Sequence, residues 1–438
     1  MTPIQCIKSS LNLKDSSIKN ISESDDGTTF FVEIALHKRA AGLCPHCGKK
    51  CPGYDNGTFT RKWRALDFGH QKVYIVADLH RVECPEHGVV TEQVEWAFHD
   101  SRFTKKFEQH VAHLALNQSR KQVCTLMRIH WRTVGNILFR AAKVKEKEAE
   151  HRFDNLEVIG IDETSYKKGH SYLTTVVNQK TCEVIWASDR HGKEVLSAFF
   201  EQLSGTQISS IQMVSGDGAR WIKDTVKHYA PHALFCIDPY HVVTWAIEAM
   251  DQMRRRLWRE TLNEEKKEPK RRVGRPDKGE RRTQKESKVL RASKYSLGKN
   301  PDHLTSRQAD NLDYIRTVYP KLFRGYQLKE GLRQVFHCDM AEAEQKLKKW
   351  LSWACRSRIE EFVELSKKIR RHKESIVNTR KYGISNARIE ALNNKIKLII
   401  RRAYGFRNIE NLISMIRLAC SEIGRQLQPA YVYDRNFE

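Results

Sequence analysis

Two short turns, Cys44-Pro-His-Cys47 and Cys84-Pro-Glu-His87, constrain this chain more than any other feature. Each puts two metal donors two residues apart, the spacing at which a single turn offers both to one ion. Tetrahedral Zn²⁺ needs four donors, so a shared ion would clamp two distant segments together. β-like runs lie nearby, Phe30 to Leu36 and Lys72 to Leu79. The pattern predicts a zinc ribbon over residues 1–95 with Cys44, Cys47, Cys84 and His87 as ligands. None of the four is placed as a nucleophile, so the ion is structural. It is expected to supply much of the module's stability, structural zinc being worth ~10–16 kcal/mol apparent in finger peptides. Cys51 is an alternative to His87, although its spacing from Cys47 suits a loop cysteine. A reduced, buried cysteine pair would not explain two knuckles. The 11 cysteines are odd in number and scattered, which argues against a secreted disulfide framework.

Residues 96–150 read as helices. Phe103 to Leu116 carries apolar residues at helical spacing, and Ser119 caps a short helix containing Val123 and Leu126. After a turn at Arg128-Ile-His130, a longer helix starts at Trp131 with Val134, Ile137 and Leu138 on its inner face. Two short helices joined this way resemble a helix-turn-helix, whose second helix enters the DNA major groove by its N-terminal end. Trp131, Arg132, Thr133 and Asn136 would then face bases or phosphates, with Arg128 beside them in the turn. The turn lacks a glycine, and a plain helical bundle linking two domains is the alternative. Charge does not decide between them, since a basic chain equally suits DNA, ribosomal or RNA association, and a generic basic surface. Lys+Arg 77 against Asp+Glu 53 leaves a formal +24, which attracts a polyanion. No apolar run approaches the ~18 residues of a membrane span, and the N-terminus has no signal-peptide pattern, so a cytoplasmic protein is expected.

Downstream, two apolar strands each end in aspartate: Leu156 to Asp162, and Ile211 to Asp217. Between and after them, Tyr172 to Asn178 and Glu183 to Ala187 read as strands, Lys193 to Leu203 and Trp221 to Tyr229 as helices, and Ala233 to Asp238 as a fifth strand. This order predicts an α/β sheet covered by helices. Asp217 lies within Ser-Gly-Asp-Gly, where glycines permit close approach. Glu163 adjoins Asp162, and adjacent strand residues point to opposite faces, so the two would not share one metal pair; the choice of Asp162 comes from the resemblance given below. Glu390 sits on an amphipathic helix, Asn386 to Lys397. Ile389, Leu392, Ile396 and Ile399 form its apolar stripe, and Glu390, Asn393, Asn394 and Lys397 the adjoining polar face. Two strand-end carboxylates and one on a later helix suit a pair of hard divalent cations acting on a phosphodiester. Asp238-Pro-Tyr-His241 is either a structural hydrogen-bonding pair or, as the resemblance given below implies, a source of auxiliary groups. His241 would donate to the phosphate, and Asp238 competes with Asp217 for the second ligand position.

These residues carry a resemblance. Asn386 to Asn408, with Lys395-Ile-Lys397 and Arg401-Arg-Ala-Tyr-Gly-Phe-Arg-Asn408, resembles the end of the catalytic domain in the ISL-three family of bacterial insertion-sequence transposases. Gly160-Ile-Asp-Glu163 and Asp238-Pro-Tyr-His241 do so too. The resemblance implies a multidomain α/β protein. Its ribonuclease H-like catalytic core would comprise residues 151–253 and 386–438, with a basic linker and helical insertion at 254–385. The zinc ribbon and the helix-turn-helix would precede it. It implies that Asp162, Asp217 and Glu390 hold two Mg²⁺ ions, with Mn²⁺ able to substitute. It further implies recognition of terminal inverted repeats in double-stranded DNA, hydrolysis exposing a 3′-hydroxyl, and joining to target DNA by at least a dimer on the nucleoid. Lys397, Arg401 and Arg402 would add DNA contacts. A non-catalytic DNA-binding regulator and a structure-specific nuclease are the alternatives. Within the linker, Arg271 to Pro276 contains a Gly-Arg-Pro core like that of minor-groove binders, set against a solvated charged tether.

Overall fold

Burial alternates along Lys72–Cys84, as in a strand with one face against a core, and this strand is the most paired of the N-terminal sheet. The computed structural model describes residues 2–167, 169, 171–267, 286–384, 387–425 and 427. Arg271 to Pro276 and Asn386 lie outside them. A first helix, α1 (Pro3–Ser10), is followed by β1 (Ser16–Glu23), β2 (Thr29–Leu36), β3 (Gly53–Arg64), β4 (Lys72–Cys84) and β5 (Gly88–Thr91). The order is β1-β2-β4-β3, with β5 also on β4. β2 and β4 run parallel and the other pairs antiparallel. Trp63, Ile75 and Leu79 fill its apolar core, each worth roughly 1.5–3 kcal/mol of burial. That core is separate from the cysteine cluster of Cys44, Cys51, Val82 and Cys84. The sheet therefore has an apolar core of its own, and the expectation that metal supplies much of the stability narrows to the knuckle end.

Three helices follow: α2 (Lys105–Asn117), α3 (Arg120–Met127) and α4 (Trp131–Glu148). Thr104 caps α2, and Ser119 with Gln122 forms a capping box on α3. Buried Glu108 on α2 receives both Nε and Nη2 of Arg140 from α4, a bidentate pair that fixes the angle between the two helices.

The chain divides into two units, Met1–Glu150 with Leu398–Glu438, and His151–Lys397. In the second, β6 (Val158–Lys167), β7 (Ser171–Asn178) and β8 (Glu183–Asp189) form an antiparallel meander. Then come α5 (Lys193–Phe200), α6 (Gly205–Ser210), β9 (Met213–Gly216), α7 (Arg220–Tyr229) and β10 (Leu234–Ile237). β9 and β10 are parallel additions beside β6, giving β10-β9-β6-β7-β8. This mixed α/β sheet has the strand order of a ribonuclease H-like core. The short α6 was not anticipated from sequence.

The 29-residue helix α8 (Pro239–Lys267) starts beside the sheet and runs unbroken into the helical region. α9 (Glu286–Ala292), α10 (Lys294–Gly298), α11 (Ser306–Val318), α12 (Pro320–Val335), α13 (Met340–Cys355), α14 (Glu360–Arg371) and α15 (Lys373–Tyr382) follow. Their apolar faces join α8 in one cluster that includes Met250, Leu328, Trp350 and Phe362. α15 covers the β10 edge: Thr379 Oγ1 donates to the Ile237 carbonyl at 2.7 Å, which blunts an edge otherwise open to pairing.

The chain ends with α16 (Ala387–Arg402), α17 (Ile409–Ala419) and α18 (Glu422–Arg425). Cys420 and Ser421 separate α17 from α18. α17 lies on α4 at Gly135, where a Cβ would come within 2.6 Å of Asn411 Nδ2. No described helix is long and apolar enough to cross a membrane.

Candidate functional site

Three constellations can be built from their residues upward. At the first, the two knuckles use the same device. Gly48 and Gly88 close them at φ +69° and +67°, a region glycine enters freely. The Cys44 amide bonds the Lys49 carbonyl and the Gly48 amide bonds the Cys44 carbonyl, each at 2.9 Å. The Cys44, Cys47, Cys84 and His87 donor atoms all lie within 4.8 Å of one another. Cys47 Sγ is 3.7 Å from Cys84 Sγ, and His87 Nδ1 is 3.5 Å from Cys84 Sγ and 3.8 Å from Cys44 Sγ. A tetrahedron with Zn–S arms of about 2.3 Å has edges of about 3.8 Å, so the donors fit that ion. The neighbouring His87 ring brings the Cys84 thiol down to about 6, toward the thiolate a metal requires. Cys51 lies outside the set. Burial pushes its thiol up, and it donates to the Lys49 carbonyl.

At the second, the turn between α3 and α4 explains its missing glycine. Arg128 itself adopts φ +53°, held by bonds from its guanidinium to Asp67 Oδ2 at 2.5 Å and the His70 carbonyl at 2.8 Å. Arg128 is thus engaged within the protein. Arg132 and Asn136 are exposed on α4, Thr133 is half-buried, and Trp131 is 41% exposed. Lys397 and Arg401 are exposed. Arg402 instead donates to the Leu116 and Asn117 carbonyls.

At the third, strand pairing sets the geometry. Gly160 pairs with Ser215, so Asp217 comes level with Asp162. Ile237 pairs with Gly216, so Asp238 comes level with Asp217. Asp217 and Asp238 thus follow the ends of β9 and β10, whereas Asp162, expected to end its strand, lies inside β6, which runs on to Lys167 because it stays paired with β7. Asp217 Oδ1 accepts the Ala219 amide at 2.8 Å. Asp238 is nearly buried, accepts the Tyr240 amide at 3.2 Å, and has His241 Nε2 3.8 Å away. Asp162 Oδ2 accepts from Asn393 Nδ2, and Asn393 Oδ1 accepts from Thr164 Oγ1 at 2.7 Å. Burial raises the Asp162 carboxyl and the charge on Asp217 adds to this, opposed by Asn393 and His241. Glu163 has His191 Nδ1 3.7 Å from its carboxylate; burial raises it, and the charges of Asp217 and Asp162 add to this.

α16 reaches β6 because Gly160 leaves room for it. A Cβ there would come within 2.1 Å of Ile389 Cδ1. Gly160→Ala is therefore expected to cost on the order of 1–3 kcal/mol, read as a lower denaturation midpoint. Glu390, next to buried Ile389, is exposed. Among the described residues, only the Cys/His set has every donor atom within 4.8 Å; Asp162, Asp217 and Glu390 are not drawn that close.

Sequence reasoning missed three neighbours. The Trp245 ring lies where a Cβ on Gly218, next to Asp217, would come within 2.2 Å of it. Lys368 Nζ sits 3.6 Å from the centroid of that ring, and His372 packs against it at 5.4 Å. Burial lowers both Lys368 and His372, and Asp217 works against that shift. In the sequence, Lys368 is one of a run of helix-surface cations, with nothing to single it out.

Comparison with known proteins finds three family profiles along the chain. Residues 40–87 match a zinc-finger of transposase IS204/IS1001/IS1096/IS1165. Residues 92–142 match the helix-turn-helix domain of transposase family ISL3, and residues 159–416 match an ISL3 transposase domain of the DDE type. The chain is 42% identical over 398 residues to the transposase for insertion sequence element IS1557 of Mycobacterium tuberculosis, covering 90% of this chain and 89% of that one. It is 26% identical to the transposase for insertion sequence element IS1001 of Bordetella parapertussis, covering 90% and 92%.

Proposed function

Because this chain belongs to the ISL3 family of transposases, we propose that Asp162, Asp217 and Glu390 form its DNA-cleaving centre. The protein is an insertion-sequence transposase with a zinc ribbon and a DNA-binding helix-turn-helix. The observation that carries the reading is the levelling of Asp162 and Asp217 on adjacent parallel strands, with Glu390 on the helix that Asn393 ties to Asp162. The all-oxygen donor set fits a hard divalent cation. Burial and the charge of Asp217 both push Asp162 away from ionisation, and a cation offsets both effects. When bound, Mg²⁺ or Mn²⁺ supplies Lewis-acid polarisation of the phosphodiester and an activated oxygen nucleophile.

The remaining roles belong to the chain. Asn393 orients the Asp162 carboxylate, and His241 stands ready to donate to a phosphate oxygen. Lys368 brings positive charge to the Asp217 side, where the phosphate's own charge needs balance, and His372, which burial keeps neutral, packs behind it on the Trp245 ring. The helix-turn-helix binds the element's terminal inverted repeats through Trp131, Arg132, Thr133 and Asn136. Two ends are brought together by at least a dimer, and each exposed 3′-hydroxyl is joined to target DNA.

Incubating the protein with labelled end DNA and Mg²⁺ tests the reading. A nick exposing a 3′-hydroxyl, followed by a joined product, is expected. Cleavage without joining would identify a nuclease, and binding without cleavage a regulator. For the DNA interface, Arg132→Ala should weaken binding and reduce the salt slope by about 1. Arg128→Ala should mainly lose about 1 kcal/mol of stability, through its bonds to Asp67 and His70. Anisotropy titrations over a salt series and thermal melts separate the two.

A further inference from the structure

The helix α16 stops in a turn that suits glycine and holds tyrosine. The Tyr404 amide bonds the Arg401 carbonyl at 3.0 Å, and the Gly405 amide bonds the Ile400 carbonyl at 2.9 Å. These are the two bonds of a Schellman stop, whose left-handed position is usually glycine. Tyr404 occupies that position at φ +53°, where a β-carbon is strained. Its side chain returns no packing, being 95% exposed. Backbone strain kept without a packing gain points to a task outside the fold.

The turn's surroundings indicate which task. On one side, Arg402 donates to the Leu116 carbonyl at 2.6 Å and the Asn117 carbonyl at 3.3 Å, pinning the turn to the end of α2. On the other, the Arg120 guanidinium lies 5.1 Å from the Phe406 ring and 4.9 Å from the Trp131 ring. Trp131 opens α4, at the end by which such a helix meets DNA. Asn408 then caps α17. Tyr404 is therefore carried on a turn anchored to the helix-turn-helix, beside its DNA-facing end and between exposed Arg401 and Arg407. An aromatic ring among cations holds a nucleobase by its face while the cations take the phosphates.

We propose that the Tyr404 ring stacks on a DNA base that lies out of the duplex, at or beside the element end held by the helix-turn-helix. A base inside the duplex offers no free face, so the ligand is an unpaired or frayed nucleotide. The inference rests on DNA binding by the helix-turn-helix and is independent of the carboxylate assignments.

The test measures anisotropy of full-length protein on end DNA, blunt or with one unpaired terminal base, for Tyr404→Gly, Tyr404→Ala and Tyr404→Phe. Glycine and alanine should weaken binding to the unpaired-end DNA about tenfold, and phenylalanine should stay within about twofold of the parent. Tyr404→Gly suits the turn, so its melting midpoint should hold or rise, which separates lost contact from lost fold. Stacking should also quench 2-aminopurine at the unpaired position in the parent and not in Tyr404→Ala. Parent-like binding by Tyr404→Gly would overturn the proposal. So would equal losses on blunt and unpaired ends, or Tyr404→Phe failing as badly as Tyr404→Ala. Arg132→Ala, run alongside, should weaken binding to both DNAs. If it does not, the placement of the groove-facing helix fails, while the Tyr404 comparison still decides its own question.

Discussion

Glu390→Gln is expected to abolish end cleavage and strand transfer, a loss on the order of 10³-fold or more in rate, while binding to end DNA persists. Glutamine keeps the size and hydrogen bonding of the side chain and removes its charge. The variant should fold normally, because Glu390 is exposed and the helix is seated by buried Ile389, Leu392 and Ile396. Asp162→Asn and Asp217→Asn should behave alike, and Glu163→Gln should retain activity. The instructive comparison is Asp217 with Asp238, since β-pairing sets the two side by side. Asp238 is the more buried and caps the start of α8, so Asp238→Asn should cost stability before it costs chemistry. An active Asp217→Asn beside an inactive, folded Asp238→Asn would transfer the second position to Asp238. An active Glu390→Gln would remove that residue from the site. Gel assays of cleavage and joining, with binding measured in parallel, distinguish these outcomes.

Removing zinc should have an equally large but more localised effect. Cys84→Ser, or a strong chelator, is expected to release one Zn²⁺ per chain and to expose the knuckles to proteolysis. Structural zinc is worth ~10–16 kcal/mol apparent in peptides that have little else to hold them. Here the Trp63, Ile75 and Leu79 core lies apart from the cysteines, so the sheet should survive. Cleavage should concentrate around residues 44–53 and 84–91, with Trp63 still shielded from quenchers. Purified protein without zinc, or a Cys84→Ser variant as protease-resistant as the parent, would contradict the assignment.

The parts legible in the sequence were those whose cause is local. Two Cys-Pro knuckles, the Ser119 cap and the apolar strand ending just before Asp217 each declare themselves within a few residues, whereas β6 runs on past Asp162 to Lys167. What stayed hidden depends on distant partners. Arg128 reads as a DNA-facing cation until Asp67 and the His70 carbonyl are found holding it in a left-handed turn. Arg402 reads the same way until its bonds to the α2 carbonyls are seen. Lys368 is one lysine among many on α14, and only folding sets it over Trp245 beside the Asp217 loop. The parallel pairing of β2 with β4 was likewise invisible, because register between distant strands leaves no mark at either one.

The bond between Asn393 and Asp162 spans 231 positions of the chain, and translation gives that distance a duration. At about 5–20 residues per second, Asp162 leaves the ribosome roughly 10 to 50 s ahead of Asn393. The zinc knuckles close early, all four donors lying within the first 87 residues, whereas the proposed cutting centre waits for the arrival of α16. A chain that terminates prematurely anywhere in that interval would carry a finished metal module and no complete centre.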